Sequence, residues 1–246
     1  MRIKHRRTGS EYIAGLANIF FHATSAHITV RADPQEWQHW EVALFRKLNG
    51  DQFRAYASGP RTVCQEKLPG TNLRKLLTNG NLTPAALAAA AKEIRRAHQL
   101  RSPEHGRLWS HGDLHMGNVI YDKTASRARL VDFEIVHDKR LPTLTRQADD
   151  LLVFLQDLIG LGPRRRWLPM ALDFLDVYGR QAVIAKLRAL LVVPHGPPAL
   201  WWKIRTDYCS LAKSRRRVKA LRVALGSYAK QREHTPRAIS SRKQIS

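Results

Sequence analysis

The chain has 246 residues, 43% of them hydrophobic and 25% charged, a globular composition with enough apolar mass for one large domain or two joined lobes. Its 42 Lys and Arg against 20 Asp and Glu leave a net charge of +22, a field that favours anionic partners such as nucleic acid, anionic lipid head groups or phosphorylated substrates. Two cysteines, Cys64 and Cys209, exclude a disulfide framework and suit a reducing compartment, and no apolar run is long enough to cross a bilayer. The basic start MRIKHRRTGSEYIAGLANIFF lacks the clean apolar run and small-residue cleavage site of a leader, so we expect a cytoplasmic protein that can sit peripherally on a membrane.

Taken in chain order, residues 11–32 alternate loosely through Tyr12, Ile13, Phe20, Phe21, Ile28 and Val30, and predict short strands joined at Gly15 and Ser25. The period then changes. Asp33 caps a helix with Pro34 in its first turn, and Trp37, Trp40, Leu44 and Leu48 recur at three- and four-residue steps. Residues 53–68 read as strand, and Pro69 with Gly70 breaks the chain. Thr83 and Pro84 open a helix in an alanine-rich run that strongly favours it. Two strands, NVIYD and ARLVDF, are separated by the polar turn KTASR. Residues 144–159 form a helix apolar on more than one face, suited to the middle of a domain, and 163–229 read as helices interrupted at PHGPP.

Chemistry concentrates in HGDLHMGN at 111–118 and RLVDFE at 129–134. Phosphoryl transfer from a nucleotide needs a carboxylate near the incoming hydroxyl, oxygen ligands for Mg²⁺ and charge stabilisation on the phosphates. Asp113, Asn118 and Asp132 supply the first two, because magnesium takes a few protein oxygens beside phosphate oxygens and water. A tight loop holding Asp113 and Asn118 can run into VIYD, turn, and return along RLVD to set Asp132 beside it. His111 and His115, four apart, would pair on a metal only on a helix, which Gly112 and Gly117 oppose.

HGDLHMGN followed by LVDFE resembles the catalytic loop and metal-binding motif of protein-kinase-like phosphotransferases, in particular the aminoglycoside, choline and bacterial lipopolysaccharide kinase branch. The resemblance implies an α+β, bilobal fold: a small strand-rich first lobe at 1–70, a larger helical lobe at 71–229, and a basic tail at 230–246 that we expect to be disordered. It implies Asp113 as the catalytic carboxylate, Asn118 and Asp132 as magnesium ligands, and His111 as a brace of the loop. Glu134, where protein kinases carry glycine, is similar to the choline-kinase-like enzymes. RQADDLLVF is similar to the helix start whose aspartate supports the loop backbone, a role for Asp150 with Asp149 as competitor. CQEKLPGTNLRKLL is similar to the hinge of such kinases, with Glu66 and Leu68 at the adenine. Glu41 matches the helix glutamate that pairs with a phosphate-holding lysine, whose strand position is read as Arg31, and no glycine-rich loop is evident.

The resemblance thus implies an ATP- and Mg²⁺-dependent kinase acting on a hydroxyl of a small molecule or glycolipid, with a protein Ser/Thr acceptor as the alternative. A pseudokinase or basic scaffold for nucleic acid or membrane is the alternative of another class. Arg31 and Glu41 also read as an exposed strand residue and a solvated helix face. Residues 201–246 carry 13 Lys and Arg against Asp207 and Glu233, half the chain's excess, interleaved with Trp201, Trp202 and Tyr208. Such a region can meet an anionic membrane or nucleic acid.

Overall fold

The structure, a computed structural model, describes residues 1–103 and 106–233. Strand β1 (Arg2–His5) leads into helix α1 (Ser10–Ala23), strand β2 (Ile28–Val30) and helix α2 (Pro34–Asn49). Strands β3 (Ala55–Ala57), β4 (Thr62–Gln65) and β5 (Thr71–Asn72) follow, then helices α3 (Leu73–Thr78) and α4 (Pro84–Ala97). After a 3₁₀ turn at Met116–Asn118 come β6 (Val119–Asp122), β7 (Arg127–Leu130) and β8 (Ile135–His137). The remainder is helical: α5 (Thr143–Leu161), α6 (Trp167–Tyr178), α7 (Gln181–Leu190), α8 (Pro198–Arg205) and α9 (Leu211–Glu233).

The sheets are small and antiparallel, in the orders β1-β4-β3, β2-β8 and β5-β6-β7. One hydrophobic cluster runs from Trp40 and Leu44 of α2, through α4 and α5, to Leu221 and Leu225 of α9. Local chemistry explains the helix starts. Asp33 accepts from the Glu36 amide at 2.8 Å ahead of Pro34, and Thr83 accepts from the Ala86 amide at 3.2 Å ahead of Pro84. Each side chain satisfies an amide that the first turn leaves unpaired.

Residues 10–23 are helix where alternation predicts strands. The β-favouring residues Tyr12, Ile13 and Ile19 lie on the solvent side of α1, while Ala14 and Phe21 are buried. The helix is anchored elsewhere: Asn18 exchanges two hydrogen bonds with the Val30 main chain, at 2.9 and 2.7 Å, clamping α1 to β2. Tertiary anchoring outweighs propensity here. Residues 230–233, expected as the start of the tail, belong to α9, and 234–246 lie outside the described residues.

Candidate active site

The loop 110–118 is held from beneath by α5. Asp150, fully buried, accepts from the His111 amide at 2.7 Å, the Gly112 amide at 2.9 Å and the His98 ring at 3.1 Å. Burial works against its charge, yet His137, His98 and His111 outweigh that and hold its carboxyl at about 2. Asp149 points instead to the His137 ring, 3.2 Å away, so Asp150 takes the loop amides. Seven residues on, hence on the same helix face, buried Asp157 accepts from the Met116 amide at 2.9 Å and from Arg74 at 3.1 and 2.7 Å. Two carboxylates on one face of α5 therefore fix both ends of the loop.

His111 is buried, its Nε2 3.0 Å from the Val131 carbonyl and its Nδ1 accepting from the Asp113 amide at 3.3 Å. Those partners make Nε2 the donor and Nδ1 the acceptor, and packing on Trp109 and Phe133 fixes the ring. His115 caps the 3₁₀ turn by accepting from the Gly117 amide at 2.9 Å, and its Nε2 lies 3.7 Å from the Asp113 carboxylate. Gly112 has φ of 94°, and a Cβ there would fall 2.7 Å from the Ile135 carbonyl oxygen, so the loop requires glycine. Asn118 donates to the Asp113 carbonyl at 2.9 Å, leaving its amide oxygen as the atom able to bind a cation. The Asn118 carbonyl in turn accepts from the Val131 amide at 3.0 Å, which ties the loop to the residue before Asp132.

Asp132 has a left-handed φ of 71°, a conformation costly for a residue with a side chain. Flanking bonds impose it. Glu41 accepts from the Phe133 amide at 3.1 Å and Trp40 donates to the Phe133 carbonyl at 2.8 Å, so consecutive residues of α2 grip Phe133. Lys4 of β1 then bridges the site, with Nζ 2.6 Å from Glu41 and 2.7 Å from Asp132. Gln65 adds a bond to Glu41 at 3.0 Å, and Arg2 stands 3.6 Å from Asp132. Burial opposes charge on Lys4 and on Asp132, but the mutual attraction wins: the ammonium pKa is raised and that of Asp132 lowered. Glu134 lies 3.5 Å from Arg6, and burial followed by its neighbour Asp132 pushes its carboxyl pKa up.

Arg31, expected as the cation partner of Glu41, is not that partner; Lys4 is. Arg31 follows β2, which pairs with β8 rather than with the β1-β4-β3 sheet, and its guanidinium stacks on Trp40 at 4.1 Å. It lines a cavity of about 690 Å³ with Trp109, Ser110, His137 and Arg146, a lining that includes none of Lys4, Asp113, Asn118 or Asp132. Glu66 and Leu68 line a second cavity of about 290 Å³ together with Arg2, Ile120 and Val131, so the expected hinge adjoins the strand leading to Asp132. Gly70, with φ of 110°, lets the chain pass where a Cβ would fall 2.2 Å from the Tyr121 carbonyl oxygen. Asp113 and His115 line a third cavity of about 220 Å³ with Arg74, Ile204, Arg205 and Tyr208.

Sequence reasoning missed Lys4, Trp40 as a clamp on Phe133, and Asp157. The alternation in RIKH and the seven-residue step from Asp150 to Asp157 were the available signals. Among the described residues, no three His, Cys, Asp or Glu side chains cluster as a metal site. His111 braces the loop against the Val131 carbonyl, and His115 caps the 3₁₀ turn.

No protein-family model matches the chain, and no curated protein matches its sequence. Plasmodium vivax ethanolamine kinase is similar in structure over 79% of this chain and 75% of that one, with a TM-score of 0.45 and 12% identity. At that level of likeness the comparison assigns neither fold nor activity, and the functional reading rests on the geometry.

Proposed function

We propose that the chain is a kinase that moves the terminal phosphoryl group of ATP, with Mg²⁺, to a hydroxyl of a small molecule or glycolipid. The observation that carries this reading is the junction at Asp132, where one lysine bonds both Glu41 and Asp132 while Asn118 and His111 tie the Asp113 loop to the adjoining Val131. The reading includes a bilobal, protein-kinase-like division, with residues 1–70 facing 71–229 and adenine in the cavity at Glu66 and Leu68. Free Cys64 and Cys209 suit a cytoplasmic setting.

The donor set fits magnesium. Asn118 and Asp132 offer hard oxygen ligands, and Lys4 with Arg2 keeps Asp132 ionised at neutral pH. Bound there, the ion would neutralise charge on the phosphates. Lys4, fixed by Glu41, would orient the phosphates as a compact ammonium. Asp113, open to the 220 Å³ cavity, would hold the acceptor hydroxyl and take its proton as its oxygen bonds to the γ-phosphorus and the bond to ADP breaks. That cavity, lined by Arg74, Arg205 and Tyr208, has a volume of about 220 Å³ that suits one sugar-sized group better than an extended peptide, which favours the small-molecule or glycolipid acceptor over a protein.

Labelled ATP supplied with sugars, aminoglycosides, lipopolysaccharide cores and generic protein substrates tests the reading. Label should pass to a hydroxyl acceptor and fall by about 10³-fold in Asp113→Asn, the scale of a lost general base. Transfer that survives both Asp113→Asn and Asp132→Asn would overturn the mechanism.

A further inference from the structure

Helix α1 leaves a row of large apolar side chains in solvent. Tyr12, Ile13, Leu16 and Ile19 are 76%, 71%, 67% and 67% exposed, and their spacing puts them on one side of the helix. Singly exposed apolar residues are ordinary, but four on fourteen residues, opposite buried Ala14 and Phe21, make an amphipathic helix with its apolar side outward. Helix α1 also contacts α8. Phe20 and Phe21 pack edge-on against Trp201 of α8, at 6.3 and 4.9 Å between ring centres. On α8, Leu200 and Ile204, four apart, are again exposed, and Ile204 also lines the cavity that holds Asp113.

We propose that α1 and α8 form a docking surface for an anionic lipid bilayer, with Tyr12, Ile13, Leu16, Ile19, Leu200 and Ile204 entering the head-group boundary. Charge complementarity selects this occupant. The chain carries +22, exposed Arg7 precedes α1, and exposed Lys203 lies on α8, which has no acid of its own. Glu11, the sole acid of α1, is neutralised by Arg61 at 2.8 Å. Amphipathic helices bind membranes through apolar area plus attraction of neighbouring cations to anionic lipid. Among the described residues no helix is long and apolar enough to cross a membrane, so contact through α1 would be peripheral. The inference does not need the phosphotransfer reading, although docking through α8 would bring the Asp113 cavity to the lipid surface.

The test is sedimentation of the full chain with vesicles of phosphatidylglycerol and phosphatidylcholine, at low and at high salt, for the native chain and for Ile13→Glu with Leu16→Glu. Both positions are exposed, so far-ultraviolet circular dichroism should be unchanged. The native chain should partition onto the vesicles and retain part of that binding at high salt, because apolar insertion is little screened. The double variant should bind at least tenfold more weakly at low salt and not at all at high salt. Equal binding by both proteins would overturn the proposal, leaving the basic helices as a purely electrostatic contact. A native dimer in light scattering that the double variant converts to a monomer would also overturn it, by showing that a second copy covers the row.

Discussion

Lys4 has two carboxylates within hydrogen-bond reach, and one of them, Glu41, is wholly buried. Removing the ammonium leaves Glu41 with the Gln65 amide and the Phe133 amide as its remaining donors. Lys4→Ala should therefore cost about 3 kcal/mol in denaturant unfolding, the scale for a broken buried pair, and should lower phosphoryl transfer by at least about 10²-fold. Arg31→Ala should keep transfer within roughly threefold of the native chain, the scale of changes remote from a site. Asp150 makes a separate prediction in pH. Its folded pKa of about 2 lies below the ordinary value of 3.8, so its stabilisation is present above about pH 4 and is lost as pH falls through 2. Asp150→Asn should flatten the acid limb of stability between pH 4 and 2 by about 2 kcal/mol, read from urea midpoints across that range. An unchanged acid limb would show that His137, His98 and His111 do not hold this carboxyl down.

Helix α5 supports the site with one end and is itself secured at the other. The Leu158 carbonyl accepts from the Gly162 amide at 3.0 Å, and the carbonyls that follow are met by α9: Arg217 donates to Ile159 and Gly162 at 3.0 and 2.9 Å and also to Leu158 at 3.3 Å, and Lys213 donates to Gly160 at 2.6 Å. Cations at a helix C-terminus also match its dipole. Two side chains of the basic run 213–222 are thus a helix cap. Arg217→Ala, which also loses stacking on Trp167, should cost about 2 kcal/mol in thermal unfolding, whereas the exposed neighbour Arg216→Ala should cost roughly nothing. Helices α2 and α4 were legible because cap, proline and apolar period agree within one segment. The closeness of Asn118 to Asp132 was legible because a single hairpin, β6 with β7, connects them. Lys4 was not, because the fourteen residues of α1 separate its strand from α2, and the strand directly before α2 offered Arg31 instead. Helix α1 was not, because its apolar residues face outward, a pattern that reads as half-buried strand when burial is assumed.

At the scale of the molecule, a single hydrophobic cluster joins α2 to the helices of the second half, so Glu41 and Trp40 are set on the same core as Asp150 and Asp157. Core packing thereby holds a lysine from β1 and a loop more than a hundred residues later around Asp132. The proposed Mg²⁺–nucleotide site of Lys4, Glu41, Asn118 and Asp132 can be tested without knowing the acceptor. The measurement is the thermal shift of the full chain with ATP, with and without Mg²⁺, beside Asp132→Asn and Arg31→Ala. Ligand at about 100 times its Kd stabilises a folded protein by about 2.7 kcal/mol, a shift of several degrees for a chain of this size. The native chain and Arg31→Ala should show that shift only with ATP and Mg²⁺ together, and Asp132→Asn should lose the Mg²⁺-dependent part. No shift in the native chain, or a shift indifferent to Mg²⁺ and to Asp132→Asn, would contradict the account.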